Sequence, residues 1–504
     1  MKILDLEQLG EEVKLLKAQG KTIVHCHGVF DLLHIGHIRY FRQAKQFGDV
    51  LVVTVTEDSY VDKGPGRPAF SENLRAEGVA SLDTVDYVAI NKWPTAEETI
   101  RLLRPDYYVK GAEFRDITSD LTGKMEREAQ VVKEVGAELV FADDIVFSSS
   151  NLINRYMSSY PKETQEYLEI VRNRYHVGDI LDILDNMSAL KVLVIGDSII
   201  DEYQYCNAIG ISSKDPALAL KYESKDLFAG GVLAVANHVA NFAGEVQLVS
   251  VLGDYERHEK FIRSQLASNV APFFVTQPKA PTTLKRRYLD GYSFNKLFEI
   301  YVMDDTGLPD VEEDQLCEWL EEKLPEYDLV IAADFGHGAI SDKMVKILSE
   351  HSPFLAVNTQ ANAGNRGYHT IDRYSRADFV CLALHELELA MRKELVHERT
   401  MVDKLANLLQ CRQFVTTLGR RGCIVWDQSG EIVAVPAFAS KVVDRVGAGD
   451  AFFSVASLAA YSGVSNEILG FLGNVIGAEA VEIIGNKKAI DKLRVKKHIT
   501  AMLK

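Results

Sequence analysis

Gly28-Val-Phe-Asp-Leu-Leu-His-Ile-Gly-His37 decides how the first third of this chain folds. The run before it, Thr22-Ile-Val-His-Cys-His27, is apolar and β-rich, as a buried strand requires. After Asp31 the period changes. Leu32, Leu33, Ile35, Ile38, Tyr40, Phe41 and Ala44 fit a helix packed along one side. His34 and His37 share a face of its first turn, where unpaired N–H groups and the positive end of the helix dipole favour an anion. A strand, a glycine turn and two imidazoles at a helix start suit nucleotide phosphates. A bare HxxH also fits a helix cap or a zinc site, but no nearby Cys or carboxylate cluster supplies further zinc ligands.

Working outward, residues 1–156 alternate strand-like and helical segments, as a parallel α/β domain does. Asp49-Val-Leu-Val-Val-Thr-Val-Thr56 reads as the next buried strand. Lys63-Gly-Pro-Gly-Arg-Pro68 carries two cations and suits either a phosphate-contacting loop or a plain solvated turn. Asp86-Tyr-Val-Ala-Ile90 and Asp106-Tyr-Tyr-Val-Lys-Gly111 are further strands. The second places Lys110 and Gly111 at a carboxyl end, where open α/β sheets bind ligands. Ser148-Ser-Ser-Asn-Leu-Ile153 reads as a capped helix start and a second anion site.

The string G-x-F-D-x-x-H-x-G-H resembles the signature of the nucleotidyltransferase superfamily that includes glycerol-3-phosphate cytidylyltransferase and pantetheine-phosphate adenylyltransferase. The block 1–156 is similar to the adenylyltransferase half of the bifunctional heptose kinase/adenylyltransferases of lipopolysaccharide-core synthesis. The shared features are the leading helix, the Arg-Pro after the basic loop, the Val-Lys-Gly strand end and the Ser-rich terminal segment, with Ser149 and Ser150 where threonines are usual. The resemblance implies His34, His37 and Lys63 as catalytic residues, with Gly28, Phe30, Gly36, Lys110, Gly111, Ser148 and Ser149 on the nucleotide and Asp31 on the substrate.

Residues 157–187 are polar and helix-prone and read as a linker. From 188 to 504 a second domain opens on Lys191-Val-Leu-Val-Ile-Gly-Asp197, a buried strand followed by an expected Gly-Asp turn, with Asp201 one turn on. Ala229-Gly-Gly231, Asp334-Phe-Gly-His-Gly338 and Thr417-Leu-Gly-Arg-Arg-Gly422 follow. Then comes Val443-Asp-Arg-Val-Gly-Ala-Gly-Asp450, leading into the apolar helix 451–460. Gly447 and Gly449 let backbone amides approach a phosphate, and Asp450 can take the proton of an attacking alcohol.

D-x-x-G-A-G-D before Ala-Phe resembles the carboxyl-terminal signature of the ribokinase-type (PfkB) carbohydrate kinases, over about 188–490. The resemblance implies Asp450 as base and Gly447, Ala448 and Gly449 as anion hole. It assigns Asp197, Asp201, Gly230 and Gly231 to the sugar, Thr417, Gly419, Gly422 and Asn474 to the nucleotide, and an indirect Mg²⁺ link to Glu386. The chain departs from that pattern at Ala234 and Ala383, where asparagines are usual, and at Asn358-Thr-Gln360. An active kinase with an altered sugar site is the favoured reading, ahead of a kinase fold kept for binding.

Length and composition agree with this division. A chain of 504 residues exceeds one ordinary core, and 47% hydrophobic with 25% charged residues is ordinary for a soluble protein. A formal charge of −16 argues against nucleic acid and requires local cationic pockets for anionic substrates. Scattered cysteines, no signal peptide and no membrane-length apolar run predict a cytoplasmic protein without membrane association. Two α/β domains therefore predict a bifunctional enzyme. The kinase phosphorylates a sugar, heptose-like and at the anomeric hydroxyl, with ATP. The transferase joins the sugar phosphate to a nucleotidyl group from CTP or ATP. In the heptose enzymes the kinase comes first, so the order here is reversed. A CDP-alditol or CDP-glycerol synthesis with a polyol kinase, and a kinase domain acting as sugar sensor, are the alternatives. Mg²⁺, a monovalent cation at the kinase site and a homo-oligomer complete the expectation.

Overall fold

The computed structural model describes residues 2–61, 67–115, 123–142, 160–304, 306–392 and 397–503. Lys63, Ser148 and Ser149 of the expected site lie outside them. The chain divides into two compact units, Met1–Tyr160 with Lys496–Lys504, and Pro161–Val495.

The first unit holds a five-stranded parallel sheet of β1 (Ile23–Gly28), β2 (Val50–Thr56), β3 (Tyr87–Asn91), β4 (Tyr107–Gly111) and β5 (Glu138–Ala142), in the order β3-β2-β1-β4-β5. Every residue of β2 is buried, as a strand covered on both faces must be. Its alternation assigns the layers. Leu51, Val53 and Val55 pack with Phe41, Ala44, Ala76 and Val79 of helices Ile35–Lys45 and Glu72–Ala80, while Val50 and Val52 pack with Leu6, Leu9 and Val13 of the leading helix Leu6–Ala18. Chain order runs outward from β1 to β3, then returns to β4 on its other side. The carboxyl ends of β1 and β4 therefore flank the switch point where such sheets bind ligands.

The second unit is organised by β6 (Lys191–Ile211), a 21-residue strand shared by two layers. Up to Asp197 it pairs in parallel with β8 (Glu245–Tyr255) and β12 (Leu329–Asp334). From Ser198 it pairs with β7 (Leu218–Gly231), antiparallel, and from Ile200 with β10 (Leu284–Asp290), parallel. The expected Gly-Asp turn is thus replaced by continuing strand. Gly196 is required because a Cβ there would strike the Ala333 carbonyl of β12.

The main layer continues through β13 (Leu355–Thr359), β14 (Phe379–Ala383) and β15 (Gln413–Thr417) to β16 (Cys423–Asp427) and β17 (Ile432–Val435). β9 (Val270–Pro281) extends it beyond β8, and β11 (Lys296–Val302) extends the smaller layer beyond β10. The stretch read as a linker forms helices Lys162–Arg174 and Val177–Asn186, which belong to the second unit. Tyr167 donates to the Glu467 carbonyl, and Tyr175 to the Glu467 side chain. The architecture is α/β throughout. Among the described residues no helix is long and apolar enough to cross a membrane.

Candidate active sites

In the first unit the chain leaves β1 at Gly28 and enters helix Ile35–Lys45 through its N-cap His34, so Leu32 and Leu33 precede the helix rather than lie on it. His34 Nδ1 accepts the Gly36 amide at 3.1 Å, which settles one of the orphan donors of the first turn. The His34 and His37 rings stack with centroids 4.0 Å apart, and Phe30 meets His37 edge-on at 5.4 Å. Lost hydration lowers the His34 pKa, and its buried Nε2 has no hydrogen-bond partner among the described residues. Two imidazoles and a helix N-terminus therefore converge at the carboxyl end of β1.

Three neighbours are placed differently from the sequence expectation. Asp31 is 3% exposed, and its Oδ1 accepts the amides of Ala69 and Phe70 while Oδ2 faces Arg67 at 3.4 Å. It anchors the 67–70 segment. Phe30 is buried against Phe41 and Tyr40, a packing residue behind His37. Lys110 is buried and paired with Glu128 at 2.8 Å, beneath the strand end that Gly111 forms. Burial raises the Glu128 carboxyl, but Lys110 and His27 outweigh it and carry it down to about 2.

Sequence reasoning missed the layer below. His27 Nδ1 and His25 Nε2 both contact Thr54 Oγ1, at 3.0 and 2.8 Å, and desolvation pushes His27 down to about 4. Arg75, 2% exposed, donates to the Val29, Thr56 and Phe70 carbonyls and to Asp58, clamping the loops that leave β1 and β2. A lone Arg in an amphipathic helix gave no signal for this.

In the second unit Gly447 caps helix Ala448–Tyr461 at φ 81°. A Cβ there would collide with Asn486, whose side chain also lies against Gly230. The first bond of the i→i−4 ladder is Ala451 N–H to the Gly447 carbonyl; of the turn amides before it, Ala448 N–H reaches the Arg445 carbonyl at a long 3.4 Å. Asp444 fixes this loop. It accepts the Tyr203 hydroxyl at 2.7 Å and the amides of Gly485 and Val446 at 3.0 and 3.2 Å. Asp450 keeps some solvent contact, but lost hydration and then the Asp201 charge push its carboxyl up to about 7. A carboxylate so poised can accept a proton near neutrality.

Asp201 sits on β6 against Gly230, where any Cβ would strike its carboxylate, and pairs with Arg287 of β10. Gly231, at φ 57°, leads into helix Val232–Ala240, which carries the buried Ala234. Asp197 has both oxygens engaged by the amides of Phe335 and Ala339, each at 2.9 Å. Burial and Asp334 push it up to about 6. It therefore holds the 335–339 loop in addition to any ligand it meets. Glu386 likewise accepts the Ala361 and Ala383 amides at 3.1 and 2.8 Å, and burial pushes it up to about 7. Each of its oxygens accepts one backbone amide, so it ties the 361 and 383 segments together. Among the described residues no group of three or more His, Cys, Asp or Glu is gathered to hold a metal ion.

Thr417 ends β15, and Gly419 and Gly422 (φ 61° and 88°) shape the turn into β16. Asn474 spends its amide hydrogens on Cys423 Sγ and the Val435 carbonyl at 3.2 and 3.3 Å. The residues missed here are Lys285 and Arg287 of β10, together with His369, Arg373 and Tyr374, which gather at Asp334 of the Asp334-Phe-Gly-His-Gly338 stretch. Asp334 accepts Tyr374 at 2.9 Å and pairs with Arg373 at 3.0 Å and His369 at 2.9 Å. Beside it opens a 440 Å³ cleft lined by Gly336, Gly338, Tyr368, His369 and Arg373. Two cations at alternate positions, Lys285 and Arg287, were the available signal, since in a strand they share a face.

Residues 189–492 match the model of the pfkB family carbohydrate kinases. The chain belongs to that family. Residues 25–156 match the cytidylyltransferase-like model, so this pfkB chain carries a cytidylyltransferase-like domain ahead of its carbohydrate kinase domain. Among curated proteins it is similar to the bifunctional protein HldE of Syntrophotalea carbinolica, 36% identical over 157 residues, covering 31% of each chain. HldE of Geobacter sulfurreducens is 37% identical over 167 residues, covering 32% of each, and HldE of Nitratiruptor sp. 40% over 135 residues, covering 26% of this chain and 28% of that one. The chain thus spans about a third of the length of the curated relatives it matches. Phosphofructokinase-2 from Escherichia coli, in complex with potassium, superposes with TM-score 0.51 at 19% identity, over 62% of this chain and 99% of that one. Its tetrameric inhibited form superposes with TM-score 0.50 at 17% identity and the same coverage. At these identities the likeness establishes the fold.

Proposed function

We propose that the chain is a bifunctional enzyme of nucleotide-sugar synthesis. Its second unit phosphorylates a heptose-like sugar at the anomeric hydroxyl with ATP. Its first unit transfers a nucleotidyl group from CTP or ATP to that phosphate. The domain order is the reverse of the heptose enzymes it resembles.

The observation that carries this reading is Asp450. A carboxyl pushed up to about 7 at the start of a helix, beside a glycine turn and within electrostatic reach of Asp201, has the placement of a base for an alcohol. Under this reading Asp450 takes the hydroxyl proton as the sugar oxygen attacks the γ-phosphorus and ADP departs. The amides of Ala448 and Gly449 receive the phosphate charge, and Asp201, Gly230 and Gly231 bound the sugar. In the first unit a sugar-phosphate oxygen attacks the α-phosphorus and pyrophosphate leaves, with His34, His37 and Lys63 countering the charge. Mg²⁺ arriving with each nucleotide would shield the phosphates. A monovalent cation at the kinase site and self-association belong to the same proposal.

With Arg287 paired to Asp201 and Glu299, Lys285 is the cation of β10 left to meet an anionic reactant in a chain of charge −16. The test is incubation of the purified chain with ATP, CTP, Mg²⁺ and a panel of heptoses, hexoses, polyols and their phosphates, followed by mass spectrometry. A nucleotide sugar formed from ATP and a sugar supports the proposal. A nucleotidyl product formed only from supplied sugar phosphate, with no phosphorylation of any acceptor, would favour a sugar-sensing kinase fold, to which Ala234 and Ala383 lend weight.

A further inference from the structure

The register of the smaller layer places Asp201, Lys285 and Tyr301 in one cross-strand row and Tyr203, Arg287 and Glu299 in the next. Paired residues project to the same side of a sheet, and alternate residues along each strand return to it, so both rows share a face. In the second row the charge is matched: Arg287 engages Asp201 and Glu299, and Tyr301 closes the set by donating to Glu299 at 2.7 Å. Lys285 differs. It is 4% exposed, yet among the described residues its ammonium has no hydrogen bond and no ion pair, only the Tyr301 ring at 5.3 Å. Asp201, Asp197 and Asp450 act on it through space without any of them closing on it.

An ammonium with open donors on a side chain so enclosed is stabilised when an anion completes it. A permanent anion lodged among three carboxylates would be repelled. One anion must come to this place whatever the acceptor, because the chemistry at Asp450 brings it there: the phosphoryl group in transfer.

We propose that Lys285 is a catalytic residue of the kinase half, contacting an equatorial oxygen of the γ-phosphoryl group as it passes from ADP to the acceptor. This rests on the carbohydrate-kinase reading given above. The acceptor oxygen bonds to the γ-phosphorus, its proton goes to Asp450, and the bond to the β–γ bridging oxygen breaks. Lys285 keeps its proton throughout. The first-turn amides of helix Ala448–Tyr461 and Lys285 then share the transferring charge, a placement that favours the transition state over either nucleotide ground state.

The full-length protein is titrated with ADP and Mg²⁺, with and without aluminium fluoride, alone and with each sugar and sugar phosphate of the panel. ADP with aluminium fluoride mimics the planar phosphoryl group, and a transition-state mimic should tighten ADP binding by about 100-fold. Lys285→Met should bind ADP and Mg²⁺ within about threefold of wild type but lose at least about tenfold of the tightening, and Lys285→Arg should keep part of it. Unchanged tightening in both variants would overturn the assignment while leaving the kinase reading intact. So would loss of inorganic phosphate or sugar-phosphate binding in Lys285→Met with the tightening preserved, since the cation would then serve the acceptor. Wild-type protein that binds ADP but shows no tightening with any acceptor would overturn the kinase reading, and this proposal with it. Should Lys285→Met not fold, Lys285→Gln replaces it in the same comparison.

Discussion

Replacing Asp450 by Asn keeps the shape of the side chain and removes its proton-accepting charge, and the structure gives two consequences. The carboxyl stands at about 7 against an ordinary 3.8. If the ionised form is the base, it is about one-tenth populated at pH 6, about half at pH 7 and about nine-tenths at pH 8. Wild-type phosphorylation should therefore rise roughly fivefold from pH 6 to 7 and less than twofold beyond, whereas a base at 3.8 would give a flat profile. Asp450→Asn should lose about 10²–10⁴-fold in rate at pH 8.

Stability should move the other way. A carboxyl whose pKa is raised by folding releases its proton more readily in the unfolded chain, so its burden on the fold is absent below about 4, grows as pH rises, and is complete above about 7. Asp450→Asn escapes that burden. It should be more stable than wild type by about 2–4 kcal/mol at pH 8, the upper figure being the full shift and the lower allowing for the solvent contact that Asp450 retains. Differential unfolding at pH 4 and pH 8 measures this without any substrate, and direct detection of ADP by chromatography gives the rate. A pH-independent rate between 6 and 8, or an Asn variant no more stable at pH 8 than at pH 4 relative to wild type, would refute the placement of Asp450 as a desolvated base.

His37→Ala should lower pyrophosphate release by about 10²–10³-fold and leave sugar phosphorylation unchanged, and a mixture with Asp450→Asn should restore the pathway after a lag. No product from the mixture, with each half-reaction intact, would mean the intermediate is not free. Gly230→Ala drives a methyl group into the Asp201 carboxylate. Phosphorylation should fall at least about tenfold, and overpacking should cost about 1–3 kcal/mol, while pyrophosphate release stays at the wild-type rate. Glu128→Ala strands the buried Lys110 without its counter-charge. It should destabilise the first unit by about 3–5 kcal/mol, seen as faster hydrogen exchange across β4 and β5, with exchange in β12–β14 unchanged.

What sequence alone determined here is local. A strand, a glycine turn and a helix start are written in consecutive residues, so the helix carrying His37, the loop before Asp450 and the leading amphipathic helix were legible, although the first of these begins at Ile35, with Leu32 and Leu33 before it and His34 as its cap rather than in its first turn. Backbone propensity, side-chain period and orphan amides act over a few residues. The same holds for the two families, because their signatures are contiguous strings.

Tertiary structure decided which segments the polar residues near the clefts tie together. Asp31, Asp197 and Glu386 look alike as acids beside glycine-rich turns. Only folding shows that their oxygens take backbone amides from segments 38, 138 to 142 and 3 to 25 residues away. The Gly196-Asp197 pair suggested a turn, but pairing with β7 and β10, partners far along the chain, carries β6 straight through it. Lys285 and Arg287 show the same limit most sharply. Two strand residues of equal charge on one face are indistinguishable in sequence, and register alone gives one of them Asp201 and Glu299 while leaving the other an open ammonium. A charge is assigned to structure or to chemistry by what lies within about 4 Å of it, and that distance is set by contacts between residues remote in the chain.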